Sequence, residues 1–282
     1  MPTIGSLAQQ SGPLLDGLTD AYRTASHAWL ARLIPVARST FTVLAGIEVA
    51  ISGCIYGLRR AALDDVAARF VLKFALLAGM LGVVTNSTMW LQPIIDGFAV
   101  AGERAIGASG TVNPSDVVDI GVAIAGRLLT ALDAVGVLAH PATAVFAAVS
   151  ALIVVVAYVL VAAQLVLALI ESYVVLTAGV VFLGFAACRA TAGIAEGFLT
   201  HVVRLGVRIF LLYLVVSLGS ELSRGWVAAI SADQLFGPAS PIGQVLAGAI
   251  IFALLAIRIP EELANRIASH QSIGLARALG SL

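Results

Sequence analysis

Apolar positions along this chain recur with a helical period, and long apolar runs alternate with short charged turns. Near the N-terminus, Leu14, Leu15, Leu18, Tyr22, Ala25, Trp29, Leu30 and Leu33 repeat at helical spacing, with Asp16, Asp20, Arg23 and His27 between them. That pattern predicts an amphipathic helix lying at a membrane interface or packed on the rest of the protein. The first apolar span runs from about Val36 to Leu58, with Arg38 at one end, Arg59–Arg60 at the other and Glu48 inside. The second runs from about Phe70 to Leu91, with Lys73 near its start and Trp90 at its end, where an interfacial aromatic belongs. The charged turn between them makes a helical hairpin.

Gln92 to His140 is the longest connection. It contains the loop signal Gly107–Gly110 and then Asn113-Pro114-Ser115-Asp116. Pro114 followed by Asp116 predicts a helix start. The helix, Val117 to Val137, carries Asp119, Arg127 and Asp133, so it is expected outside the hydrocarbon or packed against the spans. A third span runs from Pro141 to about Glu171, and the apolar run then continues through Tyr173 to Cys188 with Gly179 and Gly184 inside it. At 1.5 Å per residue the whole run exceeds one straight crossing. It must bend, re-enter or fold into a hairpin. A fourth span covers about Leu205 to Leu222, led by Arg204 and Arg208. The fifth covers about Ile242 to Ile259 and is closed by Arg258 and Pro260.

The expected fold is therefore an all-α polytopic membrane protein. It has about five transmembrane helices, one broken or re-entrant apolar segment and an N-terminal amphipathic helix. Its segments are the amphipathic helix (1–35), a transmembrane hairpin (36–91), a loop with a helix (92–140), a membrane core (141–260) and a polar tail (261–282).

Composition supports this reading. Sixty percent of the 282 residues are hydrophobic and 11% are charged, against about 25% charged in soluble domains. Net charge is zero, which argues against a dedicated nucleic-acid binder but not against a conduit for nucleic acid. Residues Met1 to Gln10 hold no Lys or Arg, so no secretory signal is expected there. The Arg59–Lys73 turn carries four basic and two acidic residues; the Gln92–His140 loop carries two basic and five acidic. The positive-inside rule then places that turn, the Arg189–Arg208 segment and the Arg258–Arg277 tail in the cytoplasm, with the long loop periplasmic. These assignments agree if the Tyr173–Cys188 segment returns to the side it left. The result is five crossings, with the N-terminus outside and the C-terminus inside.

Candidate chemistry is sparse. Cys54 and Cys188 lack disulfide or metal spacing and read as small buried hydrophobes. His27, His140, His201 and His270 are scattered, and no HExxH, GxSxG, Walker loop or CxxC is present. No enzymatic activity, cofactor or metal is expected. Glu48 and Lys73 are the charges that need explaining, because a charge at the bilayer centre costs roughly 2.5–3.5 kcal/mol. They lie at similar distances from their shared turn, so a hairpin brings them to one depth. That favours a structural pair or a subunit contact over an ion path. Glu171, Arg189, Arg204 and Arg208 surround the broken run. Arg204 and Arg208 lie one helical turn apart, where they can snorkel to lipid headgroups, meet an acidic partner or line an anionic route. Gly53–Gly57 and Gly193–Gly197 are GxxxG matches, with little weight in a chain of 27 glycines.

The stretch Ile170 to Gly219 resembles the core of the TrbL family, the polytopic inner-membrane subunits of conjugative type IV secretion systems. Phe182-Leu183-Gly184-Phe185, followed by Arg189 and a span led by Arg204 and Arg208, carries the resemblance most clearly. Ala45-Gly46-Ile47-Glu48 with Gly57-Leu58-Arg59-Arg60 resembles the family's first hairpin. Trp90 followed by Ile94-Ile95-Asp96-Gly97-Phe98 resembles the end of its second span. Ala186-Ala187-Cys188 stands where the family often has Gly and Ser, and the family's long low-complexity tail is absent.

The resemblance implies a homo-oligomeric ring in the bacterial inner membrane. Its implied partners are the secretion ATPases, periplasmic bridge proteins, pilin and minor pilin, and membrane lipids, with transient contact to transported single-stranded DNA or protein. It implies a channel or scaffold role that supports transfer and pilus assembly. Two other classes fit the physical reading: a small-molecule or ion permease with a site at the broken helix around Gly179 to Gly184, and a membrane anchor for a soluble enzyme complex.

Overall fold

The computed structural model describes residues 4–59, 63–105, 113–135, 141–229 and 241–268. Arg60, the Gly107–Gly110 loop, His140 and the tail beyond 268 lie outside the described residues. Within them the chain is helical: α1 (Ile4–Arg59), α2 (Leu63–Thr85), α3 (Ser87–Arg104), α4 (Pro114–Val135), α5 (Pro141–Leu183), a short 3-10 segment (Gly184–Ala187), α6 (Ala192–Ala229) and α7 (Pro241–Ala268). Helices α1, α2, α5, α6 and α7 are long and apolar enough to cross a membrane. The protein is an all-α polytopic membrane protein.

The amphipathic segment and the first span are one helix. α1 has 56 residues, about 84 Å at 1.5 Å per residue, and Pro35 does not interrupt it. Its buried positions are Thr19, Ser26, Leu30, Ala37, Phe41, Glu48 and Ser52. They alternate in steps of seven and four, an eleven-residue repeat. That repeat holds a narrow stripe on one side of the helix, because eleven residues close three turns at about 3.67 per turn. Leu14, Leu18, Tyr22 and Trp29 are exposed. Of the apolar face read from the sequence, these four positions point away from the chain, while Leu30 is buried and Leu15, Ala25 and Leu33 are half-buried.

The second span is shorter than expected. α2 ends at Thr85, and Trp90 belongs to α3. The break satisfies its own backbone. Thr85 Oγ1 donates to the Leu81 carbonyl at 2.9 Å, Asn86 Nδ2 to the Gly82 carbonyl at 2.9 Å, and the Trp90 indole to the Val83 carbonyl at 2.9 Å. Side chains thus cover the carbonyls of Leu81, Gly82 and Val83 in the last turns of α2, where apolar surroundings offer no water to do so.

The long apolar run breaks at the second of its two glycines. α5 passes through Gly179 and continues to Leu183, 43 residues in all. The reversal occupies residues 184–191, where Cys188 is extended at φ −120°, ψ 133°. Thr191 Oγ1 donates to the Phe185 carbonyl at 2.8 Å, and the Ala192 amide to the Cys188 carbonyl at 2.8 Å. α6 then folds back: the Phe182 and Phe198 rings pack at a tilt with centroids 6.3 Å apart, and the Phe198 ring fills the space beside Gly179. The sequence alternatives of bend, re-entry or hairpin resolve as a hairpin between α5 and α6.

The chain forms two compact units, one of Met1–Ala21, Gly97–Ile170 and Val207–Ala264, the other of Tyr22–Asp96, Glu171–Gly206 and Asn265–Leu282. In the first, rings fill glycine notches. Tyr158 of α5 lies against Gly121 of α4, Phe252 of α7 against Gly219 of α6, and Trp226 of α6 against Gly248 of α7. Tyr158 hydrogen-bonds Ser223 and packs on Phe252. Such notches suit a membrane protein, where helices associate by close packing and not by expulsion of water. In the second unit, the α1–α2 hairpin and the α5–α6 turn meet.

Candidate functional site

Glu48 sits in the buried stripe of α1 with no exposed surface, and Lys73 of α2 is 2% exposed. Helix propensity favours both residues, so their placement costs the backbone nothing. The hairpin brings them together, with Lys73 Nζ donating to Glu48 Oε1 at 2.7 Å. The ammonium also donates to Ser52 Oγ at 2.5 Å, and Ser52 in turn donates to the Glu48 backbone carbonyl at 2.7 Å. The second carboxylate oxygen is taken from elsewhere in the chain: the Arg189 amide donates to Glu48 Oε2 at 3.2 Å. The Arg189 Nε lies 3.9 Å from Oε1 while its side chain stays 37% exposed. The Cys188 thiol is a further neighbour of this carboxylate.

The result is a clamp. One buried acid ties α1 to α2 and ties both to the turn that reverses α5 into α6. The 3-10 segment lies against α2, and Gly184 lies against α1. A Cβ at Gly184 would stand 2.7 Å from the Ala37 carbonyl oxygen. Both carboxylate oxygens and the ammonium are satisfied, the condition under which buried charges are tolerated. The arrangement fixes two hairpins at the depth of one ion pair.

Four of the residues singled out in the sequence meet here: Glu48, Lys73, Gly184 and Arg189. The other three do not. Glu171 is half-buried on α5, Arg204 is exposed on α6, and Arg208 is half-buried one turn later. The sequence reading missed Ser52, although a residue four positions after Glu48 shares its helix face. It placed Arg189 beside the broken run without a partner; in the structure its amide makes the shorter contact to Glu48, 3.2 Å against 3.9 Å from Nε. The GxxxG glycines are not packing notches within this chain. A Cβ at Gly57, Gly193 or Gly197 would meet nothing, and one at Gly53 only the Phe70 ring at 3.9 Å.

A second cluster lies in the other unit, outside the spans, at the start of α4. Ser115 Oγ donates to Asp16 Oδ2 at 2.5 Å, and the Asn113 amide donates to Asp116 Oδ2 at 3.2 Å. A helix N-terminus favours such carboxylates. Asp119, one turn further on and exposed, is held above the ordinary carboxylate range by partial desolvation, then by the charges of Asp116 and Asp16. A raised folded-state value means that ionised Asp119 works against folding. The penalty is full above the raised value and vanishes below the ordinary one, where the group is protonated in both states. Asp119→Asn should therefore raise the thermal midpoint at neutral pH, with the gain disappearing as pH falls through the carboxylate range. A constant difference from pH 3 to pH 8 would show that the charge is not responsible.

Residues 43–259 match the family model described as TrbL/VirB6 plasmid conjugal transfer protein. The conjugal transfer protein TrbL of Rhizobium radiobacter is 28% identical over 229 residues, covering 81% of this chain and 56% of that protein. The probable conjugal transfer protein TrbL of Sinorhizobium fredii (strain NBRC 101917 / NGR234) is 27% identical over 225 residues, covering 80% and 56%. The chain thus spans little more than half the length of the curated relatives it matches. Every member of the clamp, from Glu48 to Arg189, falls inside the matched region.

Proposed function

We propose, from the premise that this chain belongs to the TrbL/VirB6 plasmid conjugal transfer family, that it is a non-enzymatic channel or scaffold subunit of a type IV secretion machine. In this reading it sits in the bacterial inner membrane, supports transfer of DNA or protein, and contributes to pilus assembly. The observation that carries the reading is that the family match reaches into all five apolar helices long enough to span. It is the membrane body of the chain, and not an appended soluble segment, that resembles conjugal transfer proteins.

The physical features agree with a subunit of a larger assembly. α1 and α2 bury only a small part of their spanning windows within the chain, which leaves broad faces for lipid or for other subunits. A homo-oligomeric ring would join such faces by heterologous contacts and enclose a channel that one chain cannot form. The charge balance of the turns puts the α1–α2 turn on the cytoplasmic side with the secretion ATPases. It puts the α3–α4 connection on the periplasmic side with the bridge proteins and pilins. The clamp then serves as the rigid element from which such contacts are presented.

Clean deletion of the gene in its native host, with a plasmid-borne copy as control, tests the proposal. Donor cells should grow normally and lose DNA transfer to recipients, and the copy should restore it. A Glu48→Gln copy should fail to restore transfer and accumulate poorly in the membrane. Arg204→Ala, at an exposed position, should restore it. Undiminished transfer from the deletion strain would sink the conjugation reading.

A further inference from the structure

The clamp faces inward. On the outer side of the same hairpin, α1 and α2 leave a groove of about 400 Å³. Its walls are Thr42, Ala45 and Val49 on α1 and Phe74, Ala78 and Leu81 on α2. The spacing on each helix, four then three or three then four, lines up one face. A Cβ built at Gly46, also on the groove, would meet nothing within 4 Å, so the space is open to what surrounds the protein. Almost all of the lining surface is apolar.

Arg38 lies one turn before Thr42 and extends the same stripe. Its side chain is exposed and has no hydrogen-bond or ion-pair partner among the described residues. Thr85, at the end of α2, extends the facing stripe. Arg38 and Arg59 are separated by about 31 Å of helix, which matches the roughly 30 Å hydrocarbon thickness. Arg38 therefore stands at one headgroup level. The groove occupies the leaflet beneath it, because the rise from Arg38 to Val49 is about 16 Å. It stops at the depth of Glu48, near the bilayer midplane.

We propose that this groove is a specific site for an anionic glycerophospholipid, with one acyl chain lying between α1 and α2 and the phosphate paired with Arg38. Three features select this occupant over a second protein helix. The groove spans a single leaflet, as an acyl chain does. It is apolar along its length and cationic only at its mouth. The cation sits where a lipid phosphate sits, at the height fixed by the span. An acyl chain here fills the outer side of the α1 turn whose inner side carries Glu48. The lipid thus acts as a wedge that sets the separation of α1 and α2 around their ion pair. The inference rests on the membrane span alone and stands whether or not the transfer role does.

Native mass spectrometry of the purified full chain, with phosphatidylglycerol or phosphatidylcholine added as probe, tests the site. The wild-type chain should retain one phospholipid per protomer after mild activation, with phosphatidylglycerol held several-fold better than phosphatidylcholine. Arg38→Gln should remove that preference while the chain remains folded. Ala78→Phe, which fills the groove, should remove retention of both. Val145→Phe, on an exposed apolar position of α5, should change neither. Undiminished retention in Ala78→Phe would overturn the proposal. So would loss of a multi-chain species in that variant with lipid retention intact, because the occupant would then be a second copy. If Ala78→Phe fails to accumulate, Arg38→Gln decides: an unchanged preference for phosphatidylglycerol would refute the site.

Discussion

Lys73→Met should unfold at much lower denaturant than the wild-type chain. Methionine keeps the helix propensity and most of the side-chain volume, so the change isolates the loss of the ammonium. What remains is a Glu48 carboxylate with no exposed surface, held by the Arg189 amide at 3.2 Å and faced only by the part-exposed Arg189 guanidinium, whose Nε lies 3.9 Å away. Breaking a buried pair from one side costs about 3–5 kcal/mol, because it leaves an uncompensated charge. Glu48→Gln leaves the Lys73 ammonium in the same position and should cost a similar amount. The double variant Glu48→Gln/Lys73→Met removes both charges, and its carboxamide oxygen can still accept from Arg189. It should recover much of the loss, so the coupling in the double-mutant cycle should be large and favourable. Ser52→Ala removes one neutral hydroxyl and should cost only about 1 kcal/mol. Denaturant titration of the wild type and the four variants in bicelles measures all of this. Equal midpoints for Lys73→Met and the wild type would mean that the pair does not hold the hairpin.

The parts of this clamp differ in how far they can be read from sequence. Charges inside an apolar run are expensive, so Glu48 and Lys73 stand out, and their equal distance from one turn predicts that they meet. The five spans are legible for the same reason: an apolar run of the right length has few other uses. What local reading misses is set by contacts distant in sequence. Gly179 and Gly184 look alike in the chain. The helix continues past the first because Phe198 packs beside it. It ends at the second because Thr191 takes the Phe185 carbonyl and Glu48 takes the Arg189 amide. The continuity of α1 is hidden by its change of composition near Pro35, which reads as a boundary. Its eleven-residue stripe becomes visible only when burial replaces hydrophobicity as the signal, since Thr19, Ser26, Glu48 and Ser52 are among the buried positions. The end of α2 is hidden because Trp90 suits a membrane interface and equally suits a hydrogen bond back to Val83.

Gly184→Ala should weaken the same clamp from its other side. The methyl group would stand 2.7 Å from the Ala37 carbonyl oxygen and 3.3 Å from the Thr40 Cβ. The nearer atom is backbone in the middle of α1, so it cannot swing aside as a side chain would. The 3-10 turn must lift from α1, and lifting it stretches the Arg189 amide away from Glu48. Overpacking of this kind costs about 1–3 kcal/mol. Gly197→Ala is the matched control on α6, where the added methyl meets nothing. A helix-interior glycine replaced by alanine gains roughly 0.5–1 kcal/mol. The expected order of unfolding midpoints is therefore Gly197→Ala at or above the wild type and Gly184→Ala clearly below. Because Gly184 and Lys73 act on one carboxylate, Gly184→Ala combined with Lys73→Met should lose less than the sum of the two. Strict additivity would separate the turn from the ion pair and reduce the clamp to two independent contacts.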